Sequence, residues 1–162
     1  SVENIINACT FSGLYPDRRI CSNVYAFDPA EEKETCCTCL VTPNGLDSLS
    51  AQNDLIKNTL TPGTPSSIVI KLLATALPAG GTCDASSPSA LNLESGLYAW
   101  GTTLHAAPNA VYKITESPFQ QATLSASELL KLTSYCGFIE AVGSGYGICK
   151  SCSAGGLGAA HH

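Results

Sequence analysis

Three cysteines stand within four positions of the chain, Cys36, Cys37 and Cys39, in the stretch TCCTC at residues 35–39. Cys149 and Cys152 form a second closely spaced pair near the C-terminal end. Clustered cysteines can ligate a metal ion, carry out thiol–disulfide exchange or brace a fold covalently. Their spacing and sequence context discriminate among these three chemistries.

A zinc site would use two C-x-x-C pairs as four tetrahedral thiolate ligands, Cys36 with Cys39 and Cys149 with Cys152. The segment between the pairs, residues 40–148, is far longer than the roughly 15–20 residues that separate such pairs in zinc-binding domains. Cys37 also stands inside the first pair. We therefore predict no metal-ligating residues.

Thiol catalysis requires a depressed thiol pKa, which the N-terminus of a helix can provide. Cys149 and Cys152 instead follow the predicted helix and precede a glycine-rich end, so no helix dipole is available to stabilise a thiolate. The βαβ context of thioredoxin-like proteins is also missing. A thiol oxidoreductase is therefore only a subsidiary alternative.

Disulfide bonding accounts best for the cysteines, because nine in 162 residues is a density typical of oxidising compartments. An odd count leaves one thiol free or joined to another chain. Cys36 and Cys37 are adjacent on a predicted strand and point to opposite faces, so we expect different partners, with Cys136 as one of them. Cys9 and Cys21 are expected to close the first hairpin. The disulfide candidates are Cys9, Cys21, Cys36, Cys37, Cys39, Cys83, Cys136, Cys149 and Cys152.

Hydrolase chemistry has few candidate residues in this chain. His105 is the one histidine outside the terminal pair, and a lone histidine at a strand end is usually a surface or packing residue. The acidic run at residues 28–34 is typical of a solvated turn, and its calcium-binding potential is weak because it lacks the D-x-[DN]-x-[DN]-G pattern. We predict no catalytic and no cofactor-binding residues, and a secreted hydrolase stays a subsidiary alternative.

Three aromatic residues on a predicted hairpin, Tyr98, Trp100 and Tyr112, form a candidate platform for a carbohydrate ligand. Aromatic side chains offer a large apolar surface with a polar edge, which suits such a ligand. The favoured alternative interpretation makes Trp100 a core residue of a β-sandwich.

The charge pattern excludes several partner classes. Thirteen acidic and eight basic residues give a net charge of −5, and Arg18-Arg19 is the only adjacent basic pair. Nucleic acids and anionic membranes are therefore not expected partners, because phosphate binding needs a clustered basic face. The apolar runs fall well short of the roughly 20 residues that span a bilayer, so we predict no membrane span.

Short β-type runs separated by turn residues fill the first two thirds of the chain. The clearest is ICSNVYAF, in which Val24 and Tyr25 fall on opposite faces. Residues 46–60 are ambiguous and are assigned to strand and irregular structure. We expect strands at residues 2–8, 20–27, 35–41, 67–77, 97–105 and 110–116.

One helix is predicted from Ser125, where Ser125-Ala126-Ser127-Glu128 matches a capping box. Apolar residues then recur at helical spacing, and Gly143 ends the pattern. The expected buried stripe is Leu129, Leu132, Cys136 and Ile139, widened by Leu130, Tyr135, Phe138 and Val142. The predicted fold class is mainly β, a disulfide-braced β-sandwich with one C-terminal α-helix.

We expect residues 1–152 to form a single secreted β-rich domain and residues 153–162 to be a flexible tail that ends in part of a purification tag. The chain has no methionine, so Ser1 is expected to result from cleavage, as when an export signal is removed. The expected location is extracellular or at the cell surface.

Two stretches, NVYAFDPAEEKETCCTCLVTPNGLDSLS and SASELLKLTSYCGFIEAVGSGYGIC, resemble uncharacterised secreted cysteine-rich proteins predicted in soil-bacterial genomes. In those proteins a YVFD-like strand precedes a C-C-x-C and a PNGL turn, and a terminal helix precedes a GSG-x-G-x-C segment. The resemblance covers residues 20–50 and 123–152 and implies bacterial export. It carries no catalytic residues, and the C-terminal pair here is spaced more widely than in that family.

These patterns predict a secreted, non-catalytic structural or surface protein that assembles with itself as a homo-oligomer or filament. Assembly is expected through edge pairing of the strand at residues 2–8 or through an intermolecular disulfide. The alternative is an extracellular module that binds a polysaccharide or another matrix ligand. A secreted enzyme is the second alternative.

Overall fold

The computed structural model describes residues 1–8, 19–56 and 63–142. Strands dominate this region because β-branched, aromatic and cysteine residues fill its short apolar runs. The predicted strands and the helix are all present, with ends that differ from expectation by one or two residues. In chain order the elements are β1 Val2–Asn7, β2 Ile20–Phe27, β3 Lys33–Val41, β4 Leu46–Ser50, β5 Val69–Ala76, β6 Leu97–Ala107, β7 Val111–Pro118 and α1 Ala126–Val142.

Two antiparallel sheets form the body of the molecule. A four-stranded sheet has the order β4-β1-β6-β7, and a three-stranded sheet has the order β3-β2-β5. Helix α1 packs on the outer face of the three-stranded sheet, which therefore lies in the middle of three layers. The protein is thus a mainly β, disulfide-braced sandwich with one C-terminal helix, as the sequence predicts.

The middle position of the three-stranded sheet explains why β2 is buried almost throughout. Successive side chains of a strand point to opposite faces, so Val24 and Tyr25 enter different cores. The inter-sheet core contains Ile5, Val24, Cys37, Cys39, Val41, Leu49 and Leu55. The helix core contains Tyr25, Cys36, Leu73, Ala85, Leu132, Cys136 and Ile139.

Helix α1 begins as its capping motif predicts, because Ser125 Oγ accepts a hydrogen bond from the backbone N–H of Glu128 at 3.1 Å. The Glu128 carboxylate departs from the capping box and forms an ion pair with Lys71 on β5. The predicted stripe is buried at three positions, Leu132, Cys136 and Ile139. The expected widening of the stripe is wrong, because a single supporting sheet covers only one side of the helix. Leu130, Tyr135, Phe138 and Val142 are exposed.

The expectation that the N-terminal strand is a sheet edge is wrong. β1 pairs with β4 on one side and with β6 on the other, so both rows of its backbone groups are used. The outer strands of its sheet are β4 and β7. After β4, Ala51–Leu55 forms one π-helical turn capped by Ser50, which carries Leu55 into the inter-sheet core.

Strands β6 and β7 form a hairpin that extends beyond the rest of its sheet. β1 pairs with β6 only over residues 97–102, whereas β6 and β7 continue to pair up to Ala107 and Val111. The turn between them contains Asn109 with φ 66°, a conformation that asparagine tolerates well. We call residues 103–115 the hairpin arm, and no third described strand pairs with it.

In the described part of the chain, none of the helices combines the length and the apolar character that crossing a membrane requires. The predicted C-terminal tail at residues 153–162 lies outside the described residues. The same holds for Cys9 and for the pair Cys149 and Cys152.

Candidate functional site

The cysteine cluster on β3 fastens the layers together. Cys36 forms a disulfide with Cys136 on α1, with the two Cα atoms 5.7 Å apart, so the predicted link from this cluster to the helix is confirmed. Cys37 and Cys39 point into the inter-sheet core on the other face, and both are also disulfide-bonded. The triple cysteine is therefore a structural brace.

A second disulfide joins Cys21 on β2 to Cys83 in the long loop before β6. The expected Cys9–Cys21 pairing is wrong, because Cys21 points toward the helix side of the middle sheet, where that loop packs. All six cysteines within the described residues are in disulfide bonds, so no thiolate is available among them.

Among the described residues, one cluster of three side chains of metal-ligating type occurs, Cys36, Cys136 and Glu140. Its two sulfur atoms are joined in the disulfide, which leaves no thiolate to bind zinc. In the acidic turn, Asp28 Oδ1 accepts hydrogen bonds from the amides of Ala30 and Glu32 at 2.9 and 2.8 Å. These contacts do not test the weak calcium-binding potential of this turn.

His105, considered above for hydrolase chemistry, and the buried Tyr25 both make structural contacts. His105 is exposed on the hairpin arm, where its Nε2 lies 3.0 Å from Thr115 Oγ1. Tyr25 is buried in the helix core and donates to the carbonyl of Ala85 at 2.7 Å. Burial raises the pKa of Tyr25, and the nearby acids Asp84 and Glu140 raise it further. Both arrangements are structural.

The three candidate platform residues share the outer face of the four-stranded sheet. Trp100 lies opposite Asn4 and is half-buried, while Tyr98 lies opposite Ile6 and is exposed. The expectation that Trp100 fills the sandwich core is wrong, because its neighbour Ala99 is the residue that points inward. Tyr112 lies opposite Ala106, six residues along β6 from Trp100 and thus roughly 20 Å away. The platform therefore divides into a Tyr98–Trp100 pair and a separate Tyr112.

Tyr112 belongs to an apolar face of the hairpin arm. Leu104 lies opposite Ile114, and Ala106 lies opposite Tyr112, so these four side chains share one face. Tyr112 and Ile114 are 66% and 63% exposed. All eight residues of β7 are exposed, although an apolar β-strand is normally buried on at least one face. The sequence predicted the hairpin, but its local pattern did not reveal this exposure.

A cavity of about 720 Å³ lies between the two sheets, at the end of the sandwich near the chain start. Glu3 and Gly101, which are paired on neighbouring strands, line it from the four-stranded sheet. Ile70 lines it from the middle sheet, and Phe119 lines it after β7. Several serine and threonine residues complete the described lining.

Two carboxyl groups face inward on this side of the four-stranded sheet. Glu3 is only 8% exposed, and its Oε2 has no hydrogen-bond partner. Asp47 on β4 also has a buried oxygen without a partner, but it does not line the cavity. Burial raises the pKa of both groups, because desolvation disfavours the charged form.

Glu3 is not among the predicted site residues, although its position in the first strand carries a signal. Glu3, Ile5 and Asn7 occupy alternate positions of the first strand, so an acid shares its face with a core isoleucine. A charged residue on the apolar side of a strand is unusual enough to mark a candidate site.

Comparisons with known proteins identify no relative. No protein-family model matches the chain, and no curated protein and no solved structure matches it either.

Proposed function

We propose that this chain is a secreted, non-catalytic structural protein that assembles with further copies of itself through the hairpin arm. The observation that carries the proposal is the exposure of both faces of the arm. A two-stranded hairpin is only marginally stable in water, and a long apolar edge strand is a template for pairing. A second copy would supply the strand that the free edge of β7 lacks, and the two arms would then form one continuous sheet.

The sequence of β7 suits antiparallel pairing with itself. In a register centred on Ile114, this residue meets Ile114 of the second copy, and Tyr112 lies opposite Glu116 of that copy. Lys113 then lies opposite Thr115 of the second copy, so no like charges face each other. A register centred on Lys113 would oppose two ammonium groups, which is destabilising. Charge therefore favours the register that joins the two isoleucines.

Export is supported by the disulfide content of the described residues. The bonds Cys21–Cys83 and Cys36–Cys136 both connect separate layers or loops of the fold. Such structural bonds form and persist in oxidising environments outside the cytosol. The resemblance to secreted soil-bacterial proteins agrees with this location.

The test compares Ile114→Lys with Leu91→Lys by sedimentation velocity over a range of protein concentrations. Both substitutions replace an exposed apolar residue with lysine, but Leu91, which is 90% exposed, lies in the loop before β6 and outside the arm. We expect wild type and Leu91→Lys to associate and Ile114→Lys to stay monomeric. A wild-type protein that stays monomeric at the highest concentrations reached would refute assembly through the arm.

A covalent route to assembly would use the cysteine that an odd count leaves over. Because all six described cysteines are bonded, this thiol has to be one of Cys9, Cys149 and Cys152. Intact mass measured without reduction, with and without alkylation under denaturing conditions, separates the routes. A disulfide-linked dimer mass supports the covalent route, and a monomer with one alkylated thiol leaves the arm as the sole route.

The second candidate function is glycan binding by the Tyr98–Trp100 pair. A polar network lies beside it, because Asn4 Nδ2 donates to Thr102 Oγ1 at 3.0 Å and Ser48 Oγ donates to Asn4 Oδ1 at 2.8 Å. Aromatic rings next to hydrogen-bonding groups suit sugar rings. Trp100 is the single tryptophan, so quenching or a blue shift of its fluorescence on glycan titration tests this function. Unchanged fluorescence together with no retention on insoluble glycans would exclude it.

A further inference from the structure

The inter-sheet cavity is large enough for a small organic ligand. Its volume of about 720 Å³ lies within the roughly 300–1,000 Å³ of typical ligand pockets. Ile56, Ile68, Ile70 and Phe119 supply apolar surface, and the hydroxyl residues supply polar surface. The cavity is separate from the hairpin arm face and from the Tyr98–Trp100 pair, which point to the opposite side of the four-stranded sheet.

Glu3 places a buried carboxyl group in the lining of this cavity. Its side chain is more than nine-tenths buried, yet Oε2 has no hydrogen-bond partner. Leaving a buried carboxylate oxygen without a partner costs free energy, and in folded proteins such a group calls for an explanation, such as a bound water, an ion or a functional role. The fold alone does not require the acid, because this position of β1 faces an apolar core.

Gly101 keeps the space beside the Glu3 carboxylate free of a side chain. It lies opposite Glu3 on β6, and a Cβ atom placed on it would lie 3.5 Å from both carboxylate oxygens. The φ angle of Gly101 is not positive, so its backbone conformation does not require glycine. The glycine matters here because it has no side chain to fill the space beside Glu3. A branched side chain at this position would cover the carboxylate without removing it.

The missing partner of Glu3 is a positive charge. No lysine, arginine or histidine side chain lines the cavity in the described part of the chain. Ser1 also lines the cavity, and its α-amino group attracts the Glu3 carboxylate, but burial outweighs this attraction and raises the pKa of Glu3. A ligand cation can therefore satisfy the carboxylate where no described lysine, arginine or histidine side chain does.

We propose that the inter-sheet cavity binds an organic cation, an ammonium group on an apolar stem, with the ammonium on Glu3 and the stem against Ile70 and Phe119. A hydrogen bond between an ammonium group and a carboxylate is stronger than a hydrogen bond between neutral groups. The apolar walls add contact area for the stem. This proposal is independent of assembly through the arm.

The experiment uses n-hexylammonium as the probe and 1-hexanol as its uncharged match, titrated into the full chain by calorimetry. The variants are Glu3→Gln, which keeps the shape but removes the charge, and Gly101→Val, which covers the carboxylate. Asp47→Asn is the matched control, because Asp47 also has a buried carboxyl oxygen without a hydrogen-bond partner but lies outside the cavity lining.

We expect wild type and Asp47→Asn to bind hexylammonium in preference to hexanol. Glu3→Gln and Gly101→Val should each weaken hexylammonium binding by about tenfold or more, as the loss of a charged hydrogen bond implies. Equal binding of the two probes, an unchanged Glu3→Gln affinity or an equal loss in Asp47→Asn would overturn the proposal. Absence of hexylammonium binding to wild type would overturn it as well.

Discussion

At the scale of single residues, Asn23 is the polar centre of the middle sheet. Its Nδ2 donates to the carbonyl of Leu73 and to Thr75 Oγ1, both at 3.0 Å, and its Oδ1 accepts from Thr38 Oγ1 at 2.9 Å. The side chain is fully buried. One amide thus joins β2 to both neighbouring strands, and a buried network of this kind fixes strand register as well as adding stability.

Replacement of Asn23 by alanine should therefore destabilise the fold strongly. We expect Asn23→Ala to lower the free energy of unfolding by about 3 kcal/mol, because three partners lose their hydrogen bond in a buried setting. Thr75→Val is the matched control, since it keeps the shape and removes one of these bonds, and it should cost about 1 kcal/mol. Urea denaturation measures both values. Equal losses in the two variants would contradict a central role for Asn23.

Glu3 should make the fold less stable as pH rises. A salt-bridged acid has the opposite effect. Its pKa in the folded protein is raised, so folding favours the protonated form. The stability associated with protonation is present below the unfolded-state pKa and is lost as pH rises through the folded-state pKa. We expect Glu3→Gln to be more stable than wild type by about 1 kcal/mol near neutral pH.

That gain should shrink on acidification, because wild-type Glu3 then becomes neutral too. Thermal denaturation of both proteins from about pH 7 to about pH 4 covers the range in which a raised carboxyl pKa acts. Asp47→Asn should follow the same trend, since burial also raises the pKa of Asp47. A stability gain that grows on acidification would show that Glu3 is stabilised as a carboxylate.

Residue-level prediction succeeded where one local rule decides the outcome. Alternation along a strand separated Cys36 from Cys37 and led to the link with Cys136. It failed for Cys21, because the position of Cys83 depends on a long loop whose path no local pattern specifies. Glu3 was missed for a similar reason, since its cavity exists only after two sheets have packed.

At the scale of elements, helix α1 is attached to the middle sheet by three kinds of interaction. Apolar contacts bury Leu132 and Ile139, the Cys36–Cys136 disulfide joins the helix to β3, and the Lys71–Glu128 ion pair joins its first turn to β5. The ion pair is exposed and contributes little. The disulfide and the apolar face therefore decide whether the helix stays docked.

Removing the Cys36–Cys136 or the Cys21–Cys83 disulfide should show whether loss of overall stability and loss of helix docking are distinct effects. The bonds Cys36–Cys136 and Cys21–Cys83 have sequence separations of 100 and 62, so each double alanine variant should lose about 4 kcal/mol. Only loss of Cys36–Cys136 should increase hydrogen exchange of the α1 amides, because Cys21–Cys83 does not involve the helix. Equal protection of α1 in the two variants would show that apolar contacts alone keep it docked.

Element positions were harder to predict than element types. The pattern of Val2–Asn7 indicates a strand, but whether it lies at an edge depends on β4 and β6, which follow much later in the chain. The apolar residues of α1 indicate a helix, but their number exceeds what one supporting sheet can cover. The π-helical turn at Ala51–Leu55 was missed, because its serine and asparagine residues also occur in extended structure.

At the scale of the whole molecule, the unequal widths of the two sheets create both candidate sites. Four strands face three, so β7 has no described strand opposite it and stays exposed. At the end near the chain start, the same mismatch leaves space between Glu3 and Ile70 that side chains do not fill. The cavity faces inward and the arm extends outward, so the proposed ligand and the proposed second copy would occupy different parts of the molecule.

Assembly through the arm should be visible in the exchange of its backbone amides. In dilute protein we expect the amides of residues 103–115 to exchange much faster than those of β2, because a two-stranded arm opens easily while β2 is buried between two cores. At high concentration the arm amides should gain protection and those of β2 should not change. Ile114→Lys should abolish this gain, and Leu91→Lys should retain it. An arm that is already protected in dilute protein would mean that contacts within one copy hold it, and a second copy would then have no unpaired edge to complete.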